Sequence, residues 1–265
     1  MSVIQINGVE RKLNWKRQPT DPRDLVLPHG PSLIAALPPA ATTTHRARPP
    51  IRNQLQVGSC TQNAGASAMG FAFMVATGKP DPLFSRLFGY YRCRVNIEGN
   101  PPSEDSGCNV RDVFRAYRRY GLPHETTWPY DPSKLAVEPD AKAVAEALQH
   151  QALTFYACLT LHAVKKSIAD GWPVIFGFDC FDSLDSEETA KTGVIQMPKY
   201  GEGSIGGHCM YADTYNDKTR MLSGANSWDT DWGDQADGGG RFHLPYGYFE
   251  QGYASDGSTL RSEEI

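Results

Sequence analysis

Small and apolar residues recur at Ala64, Ala68, Phe71 and Val75. That is the spacing of one helical face, and it predicts a buried helix opening at Cys60. A second helix is predicted over Leu83 to about Cys93. From Asn109 to Tyr120, Val110, Val113, Phe114 and Tyr117 share a face, with Asn109 placed to cap the start and Gly121 to stop the end. Ala141 to His150 is poor in β-branched residues and predicts another helix. The pattern then changes. His162 to Asp170 reads as a short helix closed by Gly171. The apolar runs Pro173–Phe178 and His208–Tyr215, with Thr219–Ala225 and Gly240–Leu244, predict antiparallel strands. Helices first and strands later is an α+β pattern, with lobes at about 48–150 and 151–265. A site is expected in the cleft between them.

Residues 1–50 differ from the rest. They hold eight of the 19 prolines, which excludes a long helix or a central strand. Residues 1–47 are expected to be an extended arm, a short propeptide, with turns at Asp21-Pro22 and His29-Gly30-Pro31. The first 50 residues carry seven basic and three acidic side chains, a charge of +4; the whole chain is −4, so −8 falls on the remainder. A basic arm on an acidic body is expected to lie across the cleft, with the proline-flanked run Ser32–Leu37 entering an apolar pocket.

A net charge of −4 and a pI near 6.0 argue against general nucleic-acid binding. No apolar run approaches membrane-spanning length, and no charged region followed by an apolar stretch marks a secretory signal. The expectation is a monomer without membrane attachment, cytoplasmic or exported by a non-classical route. None of the six cysteines forms a Cys-x-x-Cys pair, which argues against zinc. Cys93 and Cys108 are the one pair close in sequence, so a disulfide there stays open. Cys93, Cys158 and Cys180 are otherwise expected in the core. Asp229, Asp231, Asp234 and Asp237 do not have calcium-loop spacing and read as a solvated acidic loop.

Cys60 carries the candidate chemistry. Unpaired N–H groups and the positive end of a helix dipole favour a thiolate. In such places the thiol pKa falls from about 8.5 to roughly 3.5–7.5. A thiolate nucleophile needs a base and a group that orients the base. His208 follows Gly206-Gly207 and opens a strand. Asn226 follows 18 residues later, and its amide oxygen can hold one imidazole nitrogen. Trp228 and Trp232 can shield that bond from water. Gln54, six residues before Cys60, offers an amide donor.

Four blocks together resemble the papain family of cysteine peptidases: Gln54-x5-Cys60 with Gly58-Ser59, Asp105-Ser106-Gly107, Gly207-His208, and Asn226-Ser227-Trp228-x3-Trp232-Gly233. Asp21-Pro-Arg-Asp24 and Leu244-Pro-Tyr-Gly-Tyr248 look like the microbial branch with a short arm. The resemblance implies a two-lobed α+β fold, a helical lobe followed by an antiparallel β-barrel-like lobe, and an endopeptidase acting on peptides or proteins through an acyl-enzyme. It makes Cys60 the nucleophile, His208 the acid/base and Asn226 the orienter, with Gln54 and the Cys60 N–H as the oxyanion hole. Ser59, Gly107, Cys108, Gly207, Cys209 and Trp228 become substrate-binding residues, Cys108 and Cys209 lining the pocket for the second residue before the scissile bond. No metal or organic cofactor is required. Thr61 stands where the family usually has Trp or Tyr, and Val57 removes a family disulfide. An acyl transferase or amidase with the same triad, and an inactive binding protein on this scaffold, are the alternatives.

Overall fold

The structure, a computed structural model, describes residues 2–6, 8–27, 37–152 and 154–261. The chain opens with a hairpin of β1 (Ser2–Ile6) and β2 (Val9–Leu13), followed by β3 (Ala40–Thr42). The helical lobe holds α1 (Cys60–Thr77), α2 (Arg86–Tyr91), α3 (Val110–Tyr120) and α4 (Ala141–Ala147). The second lobe contains β4 (Phe155–Cys158), α5 (Leu161–Ala169), β5 (Val174–Cys180), α6 (Glu187–Thr192), β6 (Gly206–Asn216), β7 (Met221–Ala225), β8 (Arg241–Pro245), α7 (Gly247–Glu250) and β9 (Ala254–Leu260).

Helix α1 is the axis of the molecule. Its first thirteen residues are all buried, because α2 and α3 pack on one side and β5 and β6 on the other. Small residues make that crowding feasible: a Cβ at Gly65 would come within 2.7 Å of Val113. Gly78 ends the helix in the left-handed region and returns its N–H to Met74. Helix α3 begins where expected, with the Asn109 side chain accepting from the Asp112 N–H at 2.9 Å. The second predicted helix departs from expectation. After Tyr91 it widens into a π-helix over Arg92–Ile97.

Seven strands form one antiparallel sheet in the order β4-β9-β5-β6-β7-β8, with β3 pairing to β6. The barrel-like expectation is corrected here: among the described residues the sheet does not close. β5 is buried at nearly every position, because a core lies on each face of the sheet. β4, β9 and the β1–β2 hairpin escaped the sequence reading. The arm is therefore not simply extended. Ile4, Ile6, Leu13 and Leu27 join the core on the far side of the sheet. The Asp21–Asp24 turn is present, with the Asp24 N–H on the Asp21 carbonyl. His29–Pro31 and most of Ser32–Leu37 lie outside the described residues.

The loop after α1 is held by a buried ion pair. Arg52 reaches Asp81 at 2.8 Å, and its Nε donates to Ser67. Burial pushes the Arg52 pKa down and the Asp81 pKa up, against the charge of each, so neither ion is stable there alone. Asp81→Ala leaves an unpaired buried guanidinium and is expected to cost about 3–5 kcal/mol. Urea unfolding followed by circular dichroism checks this; a loss below about 1 kcal/mol would contradict it.

Candidate active site

Cys60 opens α1 and is completely buried. Burial pushes its thiol up to about 12, although the backbone N–H groups of Cys209, Asn14 and Thr61 all point at the sulfur. The expected low thiol pKa is thus reversed in this state. The helix terminus is in place, but the water that would help carry the charge is excluded.

The candidate base comes from the sheet. β6 carries Gly207, His208 and Cys209, and the chain reaches Asn226 one residue past the end of β7. His208 Nε2 lies 2.8 Å from Asn226 Oδ1. The ring sits under Trp228, with centroids 4.6 Å apart, and edge-on to Phe178. Trp232 packs against Trp228. This aromatic cover lowers the His208 pKa to about 4 by desolvation, partly offset by the Asn226 bond. His208 Nδ1 is buried and makes no hydrogen bond among the described residues.

Gln54 is fixed on three sides. Its Oε1 accepts from Ser227 Oγ at 2.8 Å, its carbonyl accepts from Tyr130 Oη, and its N–H donates to Ser227 O. Its Nε2 donates to Val57 O at 3.0 Å and to Lys12 O at 3.1 Å. The Lys12 carbonyl thus lies where Gln54 offers its amide donor.

Residues Arg11–Arg17 run along the whole cleft. Arg11 bonds Asn53 Oδ1 and the Trp228 carbonyl. Lys12 Nζ meets Asp105 at 2.7 Å. Asn14 donates its N–H to the Cys60 sulfur. The Trp15 N–H reaches Gly207 O at 2.9 Å on one wall, and the Lys16 N–H reaches Cys108 O at 3.2 Å on the other. Arg17 pairs with Asp179. Glycines supply the room: a Cβ at Gly107 would lie 1.9 Å from the Asn14 carbonyl, and one at Gly177 would lie 1.8 Å from the Trp15 ring. The described segment that occupies the cleft is therefore Lys12–Lys16; the expected Ser32–Leu37 lies, apart from Leu37, outside the described residues. The short side chains flanking Trp15 leave a slot that an indole fills.

The predicted residues fall into two groups. Cys60, Gln54, Gly107 and Gly207 meet this segment, while His208 is held by Asn226 and roofed by Trp228. Three others point elsewhere. The Ser59 hydroxyl is engaged by Tyr130 and Asn63. The Cys108 side chain turns inward toward Cys93, so only its carbonyl faces the cleft. Cys209 lines a small internal space with Ala64 and Asn226. These two cysteines do not form a pocket wall together. All six cysteines are free thiols, Cys93 and Cys108 included.

Two groups escaped the sequence reading. Asp105 was visible in its motif, but its role was not: it accepts from the Gly58 N–H, Tyr90 Oη and Lys12 Nζ, tying the Cys60 loop to both helical lobe and arm. Of the two residues that aim Gln54, Ser227 lay in the Asn226 block without its role being visible, and Tyr130 carries no distinctive local signal. The acidic loop is tied down: Asp234 bonds His243, and Asp237 meets Arg48 at 2.7 Å.

A family model described as papain family cysteine protease matches residues 40–239. An uncharacterized peptidase C1-like protein of Acanthamoeba polyphaga mimivirus is 35% identical over 214 residues, covering 77% of this chain and 67% of that protein. The fold is similar to that of xylellain, a cysteine protease from Xylella fastidiosa: TM-score 0.83, 27% identity, 94% of this chain and 96% of that one. It also resembles procathepsin B of Trypanosoma congolense in fold, with TM-score 0.71, 16% identity, and coverage of 94% and 87%.

Trp15→Ala should open the cleft and speed alkylation of Cys60 by iodoacetamide at neutral pH at least about tenfold, because the thiolate is the reactive form. Equal rates in the two proteins would show that Trp15 does not seal the site. A second expectation concerns His208 in the Cys60→Ala protein, where no thiol can exchange a proton with it. An NMR titration should find the ring protonating near pH 4. A solvated ring protonates first as pH falls through its ordinary 6.5. The closed form should therefore lose stability by about tenfold per pH unit between these values, and no further below about 4. A midpoint near 6.5 would mean that water reaches the ring.

Proposed function

The chain belongs to the papain family of cysteine proteases, and on that premise we propose a cysteine endopeptidase working through Cys60, His208, Asn226 and Gln54, held here in a closed state by its own arm. The supporting observation is convergence on a peptide. Asn14 donates to the Cys60 sulfur, Lys12 accepts from Gln54, and Trp15 is bonded to Gly207, so the cleft already accommodates extended backbone. In this reading residues 1–47 act as a propeptide, and 48–265 form the peptidase domain with its two lobes.

Opening the arm admits water, which allows both Cys60 and His208 to ionise. Because Asn226 holds Nε2, the unpaired Nδ1 is the nitrogen free to take the Cys60 proton. The thiolate then attacks the scissile carbonyl. The developing oxyanion takes the position of the Lys12 oxygen, beside Gln54 Nε2. His208 returns the proton to the leaving amine, and water releases the acid from the acyl-enzyme. Trp15 in its slot also suggests which side chain the neighbouring substrate pocket prefers: an aromatic or large aliphatic one.

Peptide hydrolysis should vanish in Cys60→Ala, which has no route to the covalent intermediate. Gln54→Ala should retain KM and lose about 10²–10³ in kcat, since its donor acts mainly on the transition-state oxyanion. Steady-state assays of both proteins in the Trp15→Ala background test the reading. Turnover by the Cys60 variant, or an unchanged kcat without Gln54, would overturn it.

A further inference from the structure

Behind the cleft wall, outside the proposed machinery, Cys93, Glu98 and Cys108 meet at one point. One ligating atom from each, two sulfurs and a carboxylate oxygen, all lie within 4.8 Å of one another. Zinc bonds of about 2.3 Å to sulfur and 2.0–2.2 Å to oxygen place tetrahedral ligands roughly 3.5–4 Å apart. The cluster therefore needs a contraction of at most about 1.3 Å to hold such an ion.

The backbone has a specific device for this. In an α-helix, residues five apart lie about 140° around the axis from each other. Here the Glu98 N–H bonds the Cys93 carbonyl at 3.0 Å, a turn of the π type, in line with the π-helix over Arg92–Ile97. The wider turn brings Cys93 and Glu98 onto one side, facing Cys108 at the entry to α3. Single π turns are rare and frequent at functional sites.

The surroundings suit a metal. Both sulfurs are buried, away from competing water. The Asn109 N–H and Asn100 Nδ2 hold the Glu98 carboxylate at 3.2 and 3.1 Å, the kind of outer support that orients a ligand. Two thiolates and a carboxylate bring −3, against +2 from the ion. Lys16, 3.1 Å from Glu98, and Arg94 near Cys108 offset the remainder. A disulfide would use the sulfurs alone, drawn to about 2.05 Å, and would not involve the Glu98 carboxylate.

We propose that Cys93, Glu98 and Cys108 form a binding site for one soft divalent cation, with zinc the best match. Binding releases the two thiol protons to solvent, forms two Zn–S bonds and one Zn–O bond, and leaves the fourth position to water. The ion ties the Gly107–Cys108 wall of the cleft to the π-helix. Short-spacing rules miss this set because fourteen residues lie between the cysteines.

The test uses the full chain carrying Cys60→Ala, so that the cleft thiol cannot bind metal. The protein is reduced, stripped with a chelator and titrated with zinc chloride against a chromophoric indicator; cobalt(II) is added separately to report sulfur ligation by its charge-transfer absorbance. One equivalent of zinc should bind, and cobalt should give the thiolate band. Cys93→Ser and Glu98→Gln, each checked for native circular dichroism, should weaken zinc binding by at least about 10–100-fold. The proposal is overturned if no stoichiometric zinc binds, or if Glu98→Gln or a folded Cys93→Ser binds it as tightly as the parent. It also fails if the isolated chain carries a Cys93–Cys108 disulfide whose reduction yields no zinc uptake.

Discussion

Between Asn14 and Lys16 the arm is bonded to both lobes at once, to Gly207 on the sheet and Cys108 on the helical side, while Asn14 itself caps the Cys60 sulfur. That strap decides the electrostatics of the site. Dehydration raises the thiol and lowers the imidazole, so the pair is neutral across the ordinary pH range. The helix terminus and the Asn226 bond both favour the charged forms, and both are outweighed while water is absent. The same geometry that would serve catalysis is therefore quiet by default, and solvent access is the variable that changes its state.

The strap is held by more than backbone bonds. Lys12 joins Asp105, Arg11 spans Asn53 and Trp228, and Arg17 reaches Asp179. Exposed pairs such as Arg17–Asp179 contribute little singly. Lys12–Asp105 counts for more, because the same carboxylate orders the Gly58 turn and Tyr90. Trp15 adds an apolar anchor at the centre. A segment built in this way couples the shape of the Cys60 loop to the presence of the arm.

The two walls of the cleft are made differently. The sheet wall is rigid: β5 and β6 are buried on both faces, and His208 is clamped between Trp228 and Phe178. The helical wall, Asp105 to Cys108, is a loop. It is anchored by Tyr90 from α2 and abuts the π-helix that carries Cys93. Any ligand that ties Cys108 to the π-helix would act on the more adaptable side.

Much was legible in the sequence. The α1 periodicity, the Asn109 cap and the apolar runs of β5 and β6 are local properties, set by side-chain spacing and capping chemistry. Cys60, His208 and Asn226 stood out as candidates by their neighbours, a helix start, a glycine pair and a nearby tryptophan, and Gln54 by its fixed spacing before Cys60. What tertiary structure alone decided were meetings between distant residues. No periodicity says that Lys12 will fill the place before Gln54, or that Trp15 will enter the cleft. Those outcomes depend on hydrogen-bond complementarity across the whole chain. Nor does spacing reveal that six residues of widened helix set Glu98 beside Cys93, or that Cys108 turns inward. The sequence by itself determined which groups are candidates for the chemistry; the fold decided their solvation and their partners, because burial and proximity are properties of the packed chain.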